Sequence, residues 1–127
     1  WLEDSSIDTL ILSNHILSSI RREVDRLGHR NYISHILANE DMESAVKERN
    51  KEGKLRAYLK VTSISLENVV IVGDAPEEVD IGRNIGITTI ALAGGFYAEH
   101  RLKEKQPDFL VHELPEVKPI LERLWNI

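Results

Sequence analysis

The stretch that decides the fold is Val69–Gly95, which reads VVIVGDAPEEVDIGRNIGITTIALAGG. Its first four residues, Val69–Val72, are apolar and β-branched, a pattern typical of a central strand buried on both faces. A glycine and Asp74 end this run, and a proline with two acids then opens a helix that Gly86 closes. Thr88–Leu92 supplies the next strand. The stretch therefore predicts a strand–helix–strand unit.

The same alternation continues on both sides of this unit. Further strands are predicted at Thr9–Leu12, Tyr32–Leu37 and Phe109–Val111. Further helices are predicted from an N-cap at Asn14 to a stop at Gly28, within residues 41–63, over Ala98–Lys105, and from Leu114 to Leu124. Strands separated by helical crossovers form parallel sheets covered on both faces. The sequence thus predicts one α/β domain over residues 1–127, a three-layer, doubly wound, Rossmann-like parallel sheet.

Composition excludes several classes of function. The chain has 127 residues and a net charge of −5, from 16 basic and 21 acidic residues. Its acids are scattered, so no basic face is expected to bind nucleic acid. No apolar run is long enough for a membrane span, and the absence of cysteine excludes disulfides and fits a cytoplasmic protein.

The ends of two predicted strands carry polar side chains where ligands bind in sheets of this kind. Asp74 could hold Mg²⁺ through its carboxylate or simply cap the following helix. Glu77 and Glu78 could share the cation or be ordinary partners of the helix dipole. Ser13, with Asn14 beside it, could bind a phosphate oxygen or act as a cap.

Other candidate residues are weaker. The five histidines show no pair at the spacing of a zinc motif, and there is no cysteine to join them. Gly94-Gly95, which precedes Phe96-Tyr97, could be a substrate loop, but a flexible turn after a strand is the simpler interpretation.

Taken whole, Val69–Gly95 resembles the fourth motif region of the haloacid dehalogenase (HAD) superfamily of hydrolases. In that motif a strand ends in Gly-Asp and a second acid follows four residues later. The segment Leu10–Asn14, LILSN, looks like the second motif. In phosphoserine-phosphatase-like members the third-motif lysine lies 23 residues before the motif-four aspartate, which selects Lys51 here, with Lys54 as the alternative.

The resemblance implies a Mg²⁺-dependent phosphohydrolase that acts on a small phosphorylated substrate through an aspartyl-phosphate. It implies that Ser13 and Asn14 bind the substrate phosphate and that Lys51 pairs with the phosphate and the nucleophile. Asp74 and Glu78 would hold Mg²⁺. A hydroxyl, an ammonium and a cation around one dianion would neutralise the charge of phosphoryl transfer.

Two features depart from the family pattern. Glu78 stands where the second acid of motif four is usually Asp. The nucleophile motif, an apolar strand ending in Asp-x-Asp, has no counterpart, because neither Asp4 nor Asp8 follows such a strand. We therefore expect this chain to be the C-terminal part of a HAD core, lacking the central first strand, with an N-terminal segment or a second copy completing the sheet.

These departures keep a second function open, a nonenzymatic interaction module that retains the fold. A dinucleotide-binding Rossmann domain is disfavoured, because the turn after Val72 presents Asp74, Glu77 and Glu78 where a glycine-rich turn would admit a pyrophosphate. A receiver-type signalling domain would also need its acidic pair upstream of the present sequence. An apolar strand with Asp-x-Asp ahead of Trp1 would favour the enzyme.

Overall fold

The computed structural model describes residues 1–40 and 50–127, which form two compact units, Trp1–Thr62 and Ser63–Ile127. The strands are β1 (Leu10–Ile16), β2 (His35–Asn39), β3 (Val70–Gly73), β4 (Thr88–Leu92) and β5 (Phe109–Val111). The α-helices are α1 (Leu17–Arg26), α2 (Lys51–Thr62), α3 (Pro76–Ile85), α4 (Glu99–Glu104) and α5 (Val117–Trp125). Single 3-10 turns connect several of them.

The first unit contains a parallel pair of strands, β1 and β2, joined through α1. Leu12 lies opposite Leu37, and the register then shifts before Ile16 meets Asn39. The prediction that Asn14 caps α1 is wrong, because β1 continues through Asn14 and the N-cap is Ile16. Because the strand is longer than predicted, α1 begins at Leu17, three residues after Asn14.

Two helix boundaries in this unit follow from local chemistry. Gly28 adopts a φ of +74° after the last turn of α1, which confirms it as the predicted stop. Asn50 caps α2, since its Oδ1 accepts a hydrogen bond of 2.8 Å from the backbone N–H of Gly53. Gly53 therefore lies in the first helical turn and does not break the helix. Residues 41–49, the first part of the predicted helical stretch 41–63, lie outside the described residues.

The second unit is a parallel sheet in the order β3-β4-β5, with β4 in the middle. Gly73 lies opposite Ala91 in the first pair of strands. The prediction that β3 is buried on both faces is wrong, because Ile71 is 8% exposed but Val72 is 38% exposed. Successive side chains point to opposite faces of a strand, and α3 covers the face that carries Ile71.

Helix α3 approaches the sheet closely through Gly82. A Cβ added at this glycine would lie 2.2 Å from Thr89 Cγ2 and 2.8 Å from Ile71 Cγ2. Close to this contact, a core of buried side chains packs together: Val79, Ala91, Ala93 and Leu102, with Leu110 against them. Only glycine fits at this contact.

A side-chain clamp joins the beginnings of β4 and β5. Asp108 Oδ2 accepts hydrogen bonds from the backbone N–H of Thr89, at 2.8 Å, and from its hydroxyl, at 3.1 Å. The backbone N–H of Asp108 in turn donates to Thr89 Oγ1 at 2.9 Å. The hydroxyl of Thr89 is therefore satisfied although the residue is buried.

The α/β class with parallel strands is confirmed, and β4 and β5 have the predicted bounds. Strand β2 instead begins three residues later than predicted, after a 3-10 turn at Arg30–Tyr32. Gly86, with a φ of +92°, ends α3 as predicted. None of the helices within residues 1–40 and 50–127 has the length and apolar character needed to cross a membrane.

We predict that Gly82→Ala destabilises the protein by about 3 kcal/mol, the upper end of the usual cost of overpacking. The added methyl group has to displace Thr89 and Ile71. Urea denaturation followed by circular dichroism measures the change. Gly86→Ala is the matched control on the same helix, where the added Cβ meets nothing within 4 Å and only the positive φ costs about 1 kcal/mol. Equal losses for the two variants would contradict the packing argument.

Candidate active site

The turn that follows β3 brings two predicted site residues together. Asp74 leaves the end of the strand and is exposed, whereas Glu78 lies one turn into α3 and is half-buried. The side chain of Glu78 folds back over the strand end, since a Cβ at Gly73 would lie 2.4 Å from its Cγ. Both acids therefore lie at the carboxyl end of β3, as the sequence predicted.

Glu78 also has a structural role at this turn. Its Oε2 accepts a hydrogen bond of 3.1 Å from the backbone N–H of Ala75, and its own N–H donates to the Ala75 carbonyl at 3.3 Å. Ala75 has no side-chain acceptor, so only the glutamate half of a capping box is present. Glu78 thus satisfies an N–H group at the start of α3 and places negative charge at the positive end of the helix.

A glycine that sequence reasoning treated as part of a flexible turn lies against Asp74. A Cβ at Gly95 would lie 2.9 Å from Asp74 Oδ2 and 3.4 Å from its Cγ. The loop after β4 therefore packs directly on the carboxylate, because β3 and β4 are parallel and end at the same edge. The signal in the sequence was a pair of glycines after the strand that neighbours the Gly-Asp strand, and only Gly94, with a φ of +90°, was needed for the turn itself.

The acids at this turn fit a magnesium ion in kind and number. Mg²⁺ prefers oxygen ligands and is usually held by one or two carboxylates, with waters and substrate phosphates completing its shell. Asp74 provides one exposed carboxylate, and Glu78 provides a second whose Oε2 is engaged with Ala75. Over the described parts of the chain, no group of three or more His, Asp or Glu side chains gathers in a form that could hold a metal by itself.

The first unit carries the predicted phosphate-binding residues Ser13 and Asn14 within β1. Ser13 Oγ accepts a hydrogen bond of 3.0 Å from the backbone N–H of His15, so the hydroxyl shapes the end of the strand. The helix begins only at Leu17, and Ser13 is therefore not at a helix N-terminus.

Asn14 is held in place by a residue that sequence reasoning missed. Asn39, which is 2% exposed, donates from Nδ2 to the Asn14 carbonyl at 2.8 Å. The signal was a polar residue at the end of an apolar strand. The side-chain Oδ1 of Asn14 is buried and has no hydrogen-bond partner among the described residues, a condition that costs about 1–3 kcal/mol.

Lys51 is the first residue of α2, and Lys54 lies one turn further along. Both are half-buried and both have interactions with other groups. Three residues along a helix place side chains on neighbouring positions of one face. The choice of Lys51 over Lys54 remains a prediction.

The carboxyl end of β5 carries a cluster of charged side chains near the start of α4. His112 Nε2 is hydrogen-bonded to Glu99, whose other oxygen lies 3.1 Å from Lys103 Nζ. The hydrogen bond from His112, with that from Lys103, lowers the pKa of the Glu99 carboxyl. The backbone N–H groups of Glu113 and His112 likewise lower the pKa of Glu116. These acids stay ionised and paired at neutral pH.

The predicted site residues thus fall into two groups. Asp74 and Glu78 lie together in the second unit, with Gly95 against Asp74. Ser13, Asn14 and Lys51 belong to the first unit. The meeting of the two groups around one phosphate stays a prediction.

A protein-family model described as HAD-hydrolase-like matches residues 51–117, just over half of the chain. The chain belongs to this family. The matched segment begins at Lys51 and includes Asp74 and Glu78. No curated protein matches the sequence.

Solved structures share the fold of this HAD-like chain. A predicted phosphatase from Clostridium acetobutylicum has a TM-score of 0.81 and 17% identity, over 94% of this chain and 55% of that one. A haloacid dehalogenase-like family hydrolase, SP0104 from Streptococcus pneumoniae, has a TM-score of 0.78 and 22% identity, over 94% and 56%. YfnB from Bacillus subtilis, classed as a HAD-hydrolase and bound to magnesium, has a TM-score of 0.72 and 17% identity, over 91% and 48%. The chain spans about half the length of these proteins.

Substitutions at Glu78 are expected to measure its contribution as a helix cap independently of any role in metal binding. Glu78→Ala removes the acceptor for the Ala75 N–H and should cost about 1–2 kcal/mol of stability. Glu78→Gln keeps an acceptor oxygen and should cost less than half as much, because only the charge at the helix N-terminus is lost. Thermal and urea denaturation without metal measure both. If Gln is as destabilising as Ala, the hydrogen bond is not what Glu78 contributes.

Proposed function

We propose that this chain supplies the metal-binding and phosphate-binding part of a Mg²⁺-dependent phosphatase that hydrolyses a small phosphate monoester through an aspartyl-phosphate. The observation that carries the proposal is the turn after β3, where the exposed Asp74 carboxylate, Glu78 and the bare backbone of Gly95 come together at the carboxyl edge of a parallel sheet. Membership of the HAD-hydrolase-like family supports it.

Each residue has a chemical role in this proposal. Asp74, with Glu78 beside it, would hold Mg²⁺, which when bound neutralises negative charge on the transferring phosphoryl group. The magnesium bound to YfnB supports this assignment. Ser13 and the Asn14 amide would donate hydrogen bonds to phosphate oxygens, and the Lys51 ammonium would offset their charge. Gly95 keeps the side of Asp74 free of a bulky neighbour.

The nucleophile would be an aspartate outside this sequence. Its carboxylate oxygen attacks phosphorus, the ester P–O bond breaks, and the alcohol leaves with a proton from a general acid. Water then hydrolyses the acyl phosphate, releasing inorganic phosphate and restoring the carboxylate. An apolar strand ending in Asp-x-Asp would deliver this residue.

The unpaired edges of β1 and β3 are consistent with an additional strand of this kind. Within the described residues, β1 is hydrogen-bonded to β2 alone and β3 to β4 alone, so each strand keeps one edge without a strand partner. An unpaired edge presents N–H and C=O groups that accept a further strand. We propose an N-terminal segment as the occupant, and a second copy of the chain is the alternative.

A nonenzymatic interaction module remains a second candidate function. The observation that favours it is the hydrogen bond from Ala75 to Glu78, because a carboxylate engaged in capping α3 gives up part of its capacity for a metal. A module of this kind would bind its partner without Mg²⁺.

The proposal is tested by Asp74→Asn in the complete natural protein, assayed for phosphate release from p-nitrophenyl phosphate with and without Mg²⁺. We expect Mg²⁺-dependent turnover in the wild type and a loss of at least about 100-fold in the variant, equal to about 2.7 kcal/mol. Asp80→Asn is the matched control, since Asp80 lies on the same helix as Glu78 and forms a partly exposed ion pair of 3.0 Å with Lys105. Absence of Mg²⁺-dependent turnover in the wild type, or full activity in Asp74→Asn, would refute the phosphatase.

The choice between the two lysines has its own test. Lys51→Ala is expected to lower kcat/KM for p-nitrophenyl phosphate by about 100-fold or more, because an ammonium beside the transferring phosphate is lost. Lys54→Ala should stay within about threefold of the wild type. Steady-state kinetics on the complete natural protein measures both, and the reverse order of effects would move the role to Lys54.

A further inference from the structure

The loop Gly94–Ala98, which we call the aromatic loop, leaves the carboxyl end of β4 beside the candidate metal site. Gly94 makes the turn with a φ of +90°, and Gly95 then packs against the Asp74 carboxylate. The next residue is Phe96. Neighbouring Cα atoms are about 3.8 Å apart. The backbone of Phe96 therefore lies close to the contact between Gly95 and Asp74.

The side chain of Phe96 is unusual for its exposure. It is 92% exposed, which is the highest value among the large apolar side chains of the described residues. Its ring meets the ring of Tyr97 edge-on, with centroids 5.4 Å apart and planes at 78°. Tyr97 is half-buried, and the Arg101 guanidinium lies 5.6 Å from its ring centroid. Phe96 is therefore supported by Tyr97 while most of its ring faces solvent.

Two charged side chains that follow this loop already have partners. Arg101 lies over Tyr97, and Glu99 is bound by both Lys103 and His112. The most prominent side chain that the aromatic loop offers to a ligand is thus an apolar ring. Aromatic rings bind flat apolar groups by stacking and by edge-to-face contact.

We propose that Phe96 binds the organic group of the phosphate monoester and that this group is aromatic. The inference rests on the proposed function, since it takes the substrate phosphate to bind beside Asp74. A phosphate bound beside Asp74 would lie near Gly95, the residue that precedes Phe96. Phe96 is then a specificity-determining residue, which selects the leaving group and does not take part in phosphoryl transfer.

The test uses two nonhydrolysable analogues, phenylphosphonate and methylphosphonate, which share the phosphate-like head and differ in the organic group. Binding to the complete natural protein with Mg²⁺ is measured by isothermal titration calorimetry. We expect the wild type to bind phenylphosphonate at least fivefold more tightly than methylphosphonate. Phe96→Ala should remove this preference without changing the affinity for methylphosphonate more than twofold, and Phe96→Leu should keep part of it.

Two further variants separate the possible failures. Val61→Ala removes another highly exposed apolar side chain, 84% exposed and near the end of α2, and should leave the preference unchanged. Asp74→Asn should weaken both analogues. If both analogues bind and Phe96→Ala keeps the preference, or weakens both equally as loss of a covering segment would, the inference fails and the phosphatase stands. If neither analogue binds to the wild type, both the proposed function and the inference fail.

Discussion

The parallel pairing of β3 with β4 is the constraint on which the candidate metal site depends. With Gly73 opposite Ala91, the two chains leave the sheet at the same edge, and Asp74 and Gly95 meet there. Helix α3 packs close above both strands, and Gly82 permits this approach because it has a hydrogen where any other residue would have a Cβ. The packing of α3 on the sheet and the position of the Asp74 carboxylate therefore involve the same two strands.

Glu78 shows how one side chain can serve two purposes at such a turn. Its carboxylate receives the Ala75 N–H, and its methylene groups cover Gly73. A shorter aspartate at the same position has one methylene group fewer with which to reach back to that N–H. The change from the usual family residue therefore has a structural consequence at the helix start, whether or not the second oxygen approaches a cation.

Much of the second unit could be predicted from local patterns. The apolar run Thr88–Leu92 and the helix stop at Gly86 depend on β-branching and on backbone freedom, which act over a few residues. The first unit was harder to predict, because Asn14 has the residue type of an ordinary helix cap, whereas in the structure it lies within β1 and its carbonyl accepts a hydrogen bond from Asn39. That contact joins residues 25 positions apart, and no local rule contains it.

The sequence by itself determined the α/β class, the parallel strands, and the identity of Asp74 and Glu78 as the acids at the end of β3. These features follow from periodicity and from residue types within short windows. Only the tertiary structure decided that Val72 faces solvent, that Gly95 lies against Asp74, and that Phe96 is held out on the tip of a loop. The reason is that exposure and close approach depend on which elements pack together, and such contacts join residues far apart in the chain.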